Sequence, residues 1–250
     1  MDAHASTPFL PAILAVAFVF AGIHLLADRL RFLDGTPRSR WLSAAGGVSV
    51  AYVFLHVLPE LGLLAREHGA GGHGSGANGG TGNQLVWITA LGGLVTAYVA
   101  MHLLRQRAGE PHEDAPDGVF ALHLTSFALY NLLIGCLLLR REDADPVSLA
   151  TYAFAMGLHF ITNDWGLRHA HPRPYHRWGR FVLAGAVLAG VAIGLLAPPP
   201  AQVTAYLFAF LAGGVVLNVL KEELPEERES RSLPFVGAAL GYGALLLVAH

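Results

Sequence analysis

Charge is scarce in this sequence. Only 14% of its 250 residues are Asp, Glu, Lys or Arg, against about 25% in an ordinary soluble domain. With 54% hydrophobic residues and a positive mean hydropathy, that deficit places the chain among integral membrane proteins. Cysteine is scarcer still. The one cysteine, Cys136, lies in an apolar run, so no disulfide forms within the chain and no cysteine-based zinc site is available. It reads as a small core hydrophobe. Net charge is −2 with histidine neutral, which offers nucleic acid no basic surface. The amino-terminal segment lacks the basic stretch of a secretory signal and is long enough to span a bilayer, so it reads as a retained helix.

Long greasy runs fill the sequence instead. A helix crosses the hydrocarbon core in about 20 mostly apolar residues. Eight runs come close to that length: 8–27, 42–64, 84–104, 118–139, 147–168, 179–198, 202–222 and 233–249. They do not alternate apolar with polar, as the strands of a membrane barrel must. Helices also satisfy their own backbone hydrogen bonds in lipid. The expected fold is an all-α integral membrane protein, a single domain over 1–250 built as a bundle of eight transmembrane helices. Proline at Pro59-Glu60, near the end of the second run, is expected to kink that helix or end it early.

The connections set the orientation. All but three of the 16 basic residues fall between the first and second, third and fourth, fifth and sixth, or seventh and eighth runs; the exceptions are Arg66, Arg140 and Arg141. The positive-inside rule then puts those four connections in the cytoplasm and both termini outside, in a cell (inner) membrane. The asymmetry is consistent with an even number of spans and supports counting eight. Residues 67–83 are glycine-rich and carry His68 and His73, which reads as a linker. The stretch 109–118 sets His112 among acids, and 168–180 carries His169, His171 and His176 interleaved with arginine. The latter reads as a solvated juxtamembrane loop.

Against this apolar background a few polar residues stand inside the spans. A charged group at the bilayer centre costs about 2.5–3.5 kcal/mol on insertion scales, so such residues face a bundle interior or a wet cavity and mark function. The fifth run holds His159 and Asn163, four apart and on one helical face, with Asp164 turned by about 100°. The pair is placed to hold one ion with Asp164 at the edge of the same cavity. The alternative is an interhelical hydrogen-bond cluster. His123 and Asn131 lie in the fourth run. His56 and Glu60, again four apart, read as mutual partners with a structural or gating role. Asn218 and Glu222 are placed to line the cytoplasmic exit. Glu226, Glu227 and Glu229 form a solvated charge run. His24 and His102 sit near helix ends, where a long amphipathic side chain snorkels to the interface. Paired glycines at 46–47, 92–93 and 213–214 suit close helix packing.

Several of these segments resemble the ZIP (Zrt/Irt-like) family of divalent-metal transporters. Gly157-Leu158-His159-Phe160-Ile161-Thr162-Asn163-Asp164-Trp165-Gly166 is similar to that family's H-E-x-P-H-E-x-G-D. Phe54-Leu55-His56-Val57-Leu58-Pro59-Glu60 resembles its H-L-L-P-E-A, and Asn218-Val219-Leu220-Lys221-Glu222-Glu223-Leu224-Pro225-Glu226 its A-L-x-E-L-L-P-E. Eight helices with both ends outside is also the family's topology. The departures are specific. Where the family has H-N-F-x-D-G-x-A-I-G, this chain has Ser126 for the histidine, Phe127 for the asparagine and Tyr130 for the aspartate, with Asn131 following. His123, one helical turn before Ser126, is placed to substitute. Phe160 and Thr162 replace a glutamate and a proline, and the sixth run has no acid from Phe181 to Leu196.

The resemblance implies a transporter carrying a divalent cation toward the cytoplasm, not an enzyme. The metal site it implies is His159, Asn163, His123, Asp164 and Ser126, with His56, Glu60, Asn131, Asn218 and Glu222 as pathway or gating residues. Neutral imidazole suits borderline metals, so zinc (Zn2+) is the expected ion. The resemblance allows a homodimer, which no residue in the sequence specifies. The thinning of carboxylates leaves a second expectation, a metal-binding or sensing membrane protein of the same fold without transport. A third is an intramembrane metal-dependent hydrolase with Asp164 as base, which needs three strong ligands. A short echo also links Gly46-Gly47 with Leu58-Pro59-Glu60 and Gly213-Gly214 with Leu224-Pro225-Glu226, as inverted repeats in transporters would produce.

Overall fold

A computed structural model of the chain describes residues 10–29, 40–70, 79–108, 117–140, 146–223 and 232–249. Nearly all of them are helical, and no strand occurs among the described residues. The helices are α1 (Leu10–Leu26), α2 (Arg40–Tyr52), α3 (Leu58–Ala70), α4 (Gly79–Ala108), α5 (Asp117–Leu138), α6 (Pro146–Ala170), α7 (Pro172–Pro174), α8 (Arg180–Leu196), α9 (Ala201–Asn218) and α10 (Ser232–Ala249). Short π turns join α2 to α3 (Val53–Val57) and α7 to α8 (Tyr175–Gly179). The described residues therefore form eight rods. The stretches around His73 and His112, and the run Glu226, Glu227 and Glu229, lie outside the described residues.

Five helices are long and apolar enough to cross a membrane: Arg40–His68, Gly82–Leu103, Phe120–Leu138, Pro172–Leu196 and Ala201–Lys221. Leu10–Leu26 and Ser232–Val248 are apolar but shorter. This is the make-up of an all-α membrane protein. The fifth expected span, now α6, is missing from both groups despite its 25 residues. His159, Asn163, Asp164 and Arg168 lower its hydropathy. Twelve of its residues are buried, among them His159 and Asp164, so these polar side chains face protein, while apolar ones such as Phe154 are exposed.

Of the two outcomes expected at Pro59, a kink or an early end, the second does not occur. The ring of a proline clashes with the carbonyl four residues back. Here the backbone widens into the π turn Val53–Val57 and the helix continues to Ala70. A second π turn, Val219–Glu223, follows α9 and again ends two residues before a proline, Pro225 in the sequence. The echo between the two segments thus extends to their backbones. Glycine sets the packing partners. A Cβ on Gly47 would strike the Phe235 carbonyl of α10, and one on Gly213 the Ala90 carbonyl of α4. Between α5 and α8 the close approach is at Gly135 and Gly190. So α2 pairs with α10 and α4 with α9, while α6 packs against α1 and α2 at the centre. Phe20 meets Phe160 edge-on at 5.0 Å, in an apolar cluster that includes Tyr52 and Val187.

Candidate functional site

The i, i+4 spacing on α6 does what helical geometry requires. The Asn163 side-chain amide lies 3.1 Å from Nε2 of His159. From α9, Asn218 donates through Nδ2 to Oδ1 of Asn163 at 2.9 Å. With the Asn163 oxygen occupied as acceptor, its NH2 group donates to His159, so Nε2 carries the lone pair. The result is a one-way relay, Asn218 to Asn163 to His159, tying α9 to α6. Asn218 was expected beside Glu222 at an exit; the structure turns it to Asn163. The side chain of Glu222 lies outside the described residues.

The relay borders a cavity of about 270 Å³. His123, Ser126 and Asn131 of α5 line it together with His159, Asn163 and Asn218. Six of the expected polar residues, from three helices, therefore face one space. His159 and Asn131 are almost fully buried, while His123 is half-buried against Phe127. Ser126 donates its hydroxyl proton to the Leu122 carbonyl, one turn back, which leaves its oxygen lone pairs for a ligand. The hydroxyl of Tyr130 is buried without a hydrogen-bond partner among the described residues and rests against Gly214, where any larger residue would collide with it. No carboxylate among the described residues lines the cavity. Among the described residues, no three His, Cys, Asp or Glu side chains come together as a metal site.

Asp164 departs from its expected place beside the ion. It is fully buried, does not line the cavity, and accepts a hydrogen bond from Nδ1 of His24 at 2.8 Å. The 100° turn from Asn163 points it toward α1 instead of α5. His24 corrects a second expectation. It does not snorkel to the interface: it is 1% exposed, packs against Phe160 with ring centres 4.8 Å apart, and borders the cavity. Nε2 of His24 and Oδ1 of Asp164 have no hydrogen-bond partner among the described residues. One turn further on, Arg168 donates to the Ala27 carbonyl at 3.2 Å, satisfying an open acceptor just beyond the end of α1. The two contacts fasten α6 to α1. The base that a hydrolase would need is thereby committed to His24.

The remaining expected residues stand apart from this centre. His56 stacks on Tyr52 at 4.9 Å, and neither it nor Glu60 lines the cavity. His102 is exposed and bonded to Gln106 at 2.9 Å, as an interfacial residue would be. His169 and His176 are exposed, but His171 is 7% exposed and faces inward, contrary to the expected solvated loop. The cause is Pro172. A residue before proline is pushed out of the α region, and His171 adopts φ −141° and ψ 66° at the break after α6. Burial lowers its imidazole pKa below the ordinary value, which favours the neutral ring. Nothing in the sequence pattern marked His24, because its partner Asp164 lies in a chain segment remote from it; for His171 the one signal was the proline that follows it.

No family model, curated protein or solved structure matches this chain.

Proposed function

We propose that this protein is a membrane transporter for a divalent cation, zinc being the ion its donors suit. All eight rods cross the bilayer in this reading, with both termini outside and the basic connections in the cytoplasm. The observation that supports it is the gathering of His123, Ser126, Asn131, His159, Asn163 and Asn218 around one cavity. Neutral imidazole with oxygen donors is a ligand set for zinc and its borderline neighbours.

The relay gives the binding step a mechanism. In the resting arrangement the lone pair of His159 is occupied by the Asn163 amide. An arriving cation takes that lone pair, so the amide must release it. Rotation of the amide by about 180° then presents Oδ1 to the ion, and Oδ1 leaves the Asn218 donor. Cation binding on α6 is thereby coupled to α9, and the freed Asn218 amide marks the loaded state. Alternating access between α6 and α9 follows from making and breaking this one contact.

A second reading, metal binding without transport, is favoured by the lack of a carboxylate among the described residues that line the cavity. A dication there is neutralised poorly, and an uncompensated ion in low dielectric is costly. Flux separates the two. Zinc entry into proteoliposomes is expected for the parent protein and is expected to fall at least about tenfold in His159→Ala, equivalent to about 1.4 kcal/mol. Zinc bound by the purified protein with no flux into vesicles would favour the second reading, and flux unchanged in His159→Ala would refute the first.

A further inference from the structure

His123 faces two ways. It lines the central cavity, and its ring also meets His171 with centres 5.8 Å apart and planes nearly perpendicular at 85°. Both rings are enclosed by aromatics. Phe127 lies 4.8 Å from His123, and Phe120 lies 5.4 Å from His171. His171 is 7% exposed. Among the described residues neither imidazole makes a hydrogen bond. An imidazole nitrogen without a hydrogen bond keeps a donor or a lone pair open to a ligand.

We propose that His123 and His171 form a second cation site, a two-imidazole clamp for zinc or a similar borderline metal at the α6–α7 end of the cavity. A metal about 2.0–2.1 Å from one nitrogen of each ring holds the ring centres roughly 5–6 Å apart, and the observed spacing falls in that range. Two protein ligands leave the remaining positions of a four-coordinate shell to water. Such a site binds weakly and releases quickly, as a station on a path should. It takes His123 out of the His159 site and makes it the next ligand met by an ion leaving the relay.

The site is also fixed by the fold. Pro172 breaks α6 at His171, and the backbone amide of His171 still reaches the Leu167 carbonyl at 2.9 Å. The ring is therefore anchored from both sides, by the last turn of α6 and by α7. An arginine-rich loop solvated at the membrane surface would hold no ring in this position.

This inference rests on the cavity as a cation path, but its test separates the two. Zinc binding to the full-length protein in detergent is measured by titration calorimetry for the parent, His171→Ala, His123→Ala, the double variant and His159→Ala. His171→Gln keeps polarity and bulk, and thermal melting checks that each variant folds. The expected result is a class of zinc sites weakened at least tenfold by His171→Ala, His171→Gln and His123→Ala alike. The double variant should be no weaker than either single change, and the same class should survive His159→Ala. Loss of flux in His159→Ala together with parent-like zinc binding in His171→Ala would overturn the clamp and leave the transport reading standing. Absence of flux in every variant, with His171-dependent binding intact, would overturn transport and leave the clamp. Additive weakening by His123→Ala and His171→Ala would place the two rings in separate sites and reject the proposal.

Discussion

His24→Leu is expected to destabilise the protein by about 1–3 kcal/mol or more, the cost of leaving a buried hydrogen-bonding group without its partner. Asp164 has no solvent exposure, and the His24 nitrogen at 2.8 Å is the hydrogen-bond donor recorded for its carboxylate. Leucine keeps most of the packing against Phe160 but leaves the Asp164 side chain without its partner in the bundle. The same logic predicts that His24→Leu with Asp164→Leu is more stable than His24→Leu alone, because the second change removes the stranded group. Unfolding of the detergent-solubilised protein by denaturant, for the two single variants and the double, measures the cycle. A double variant as unstable as the sum of its singles would show that the two side chains do not act as a pair.

Asn163→Asp is expected to raise zinc affinity at least about tenfold, or about 1.4 kcal/mol. Carboxylate oxygen binds zinc at about 2.0–2.2 Å and supplies the negative charge that the cavity lining lacks. Aspartate also has no NH2 group to occupy the lone pair of His159, while Asn218 can still donate to it. The gain carries a cost in the metal-free protein. A second buried carboxylate then stands next to Asp164 in sequence, and desolvation and like-charge repulsion both oppose it. Melting temperature without zinc should fall, and the rise on adding zinc should exceed that of the parent. An unchanged affinity would mean that residue 163 does not touch the ion.

Much of the fold was legible because bilayer thickness fixes the length of a span. The runs 118–139 and 233–249 match α5 and α10 within a residue or two. The run 42–64 fell short of Ala70 because Arg66, Glu67 and His68 end its apolar stretch while the helix itself continues to Ala70; the π turn before Pro59 is a detail that no composition rule reveals. On α6 the pairing of His159 with Asn163 followed from periodicity, since residues four apart share a face. The partner of Asp164 did not. His24 lies 140 residues away, and only helix packing brings it there. Periodicity did give the 100° turn that separates Asp164 from Asn163, but not that α1 stood on that side. His171 was misread for a related reason. Its neighbours are basic and hydrophilic, yet the proline after it turns the backbone and buries the ring.

The central claim is that the cavity beside α6 holds a divalent cation on His159. Diffraction data collected at the zinc absorption edge from crystals soaked in zinc test it directly. The account predicts an anomalous peak inside the cavity, about 2.0–2.1 Å from Nε2 of His159, with the Asn163 amide rotated away from its resting contact. Peaks confined to exposed histidines such as His102 and His169, with the contact from Asn163 to His159 unchanged, would contradict it.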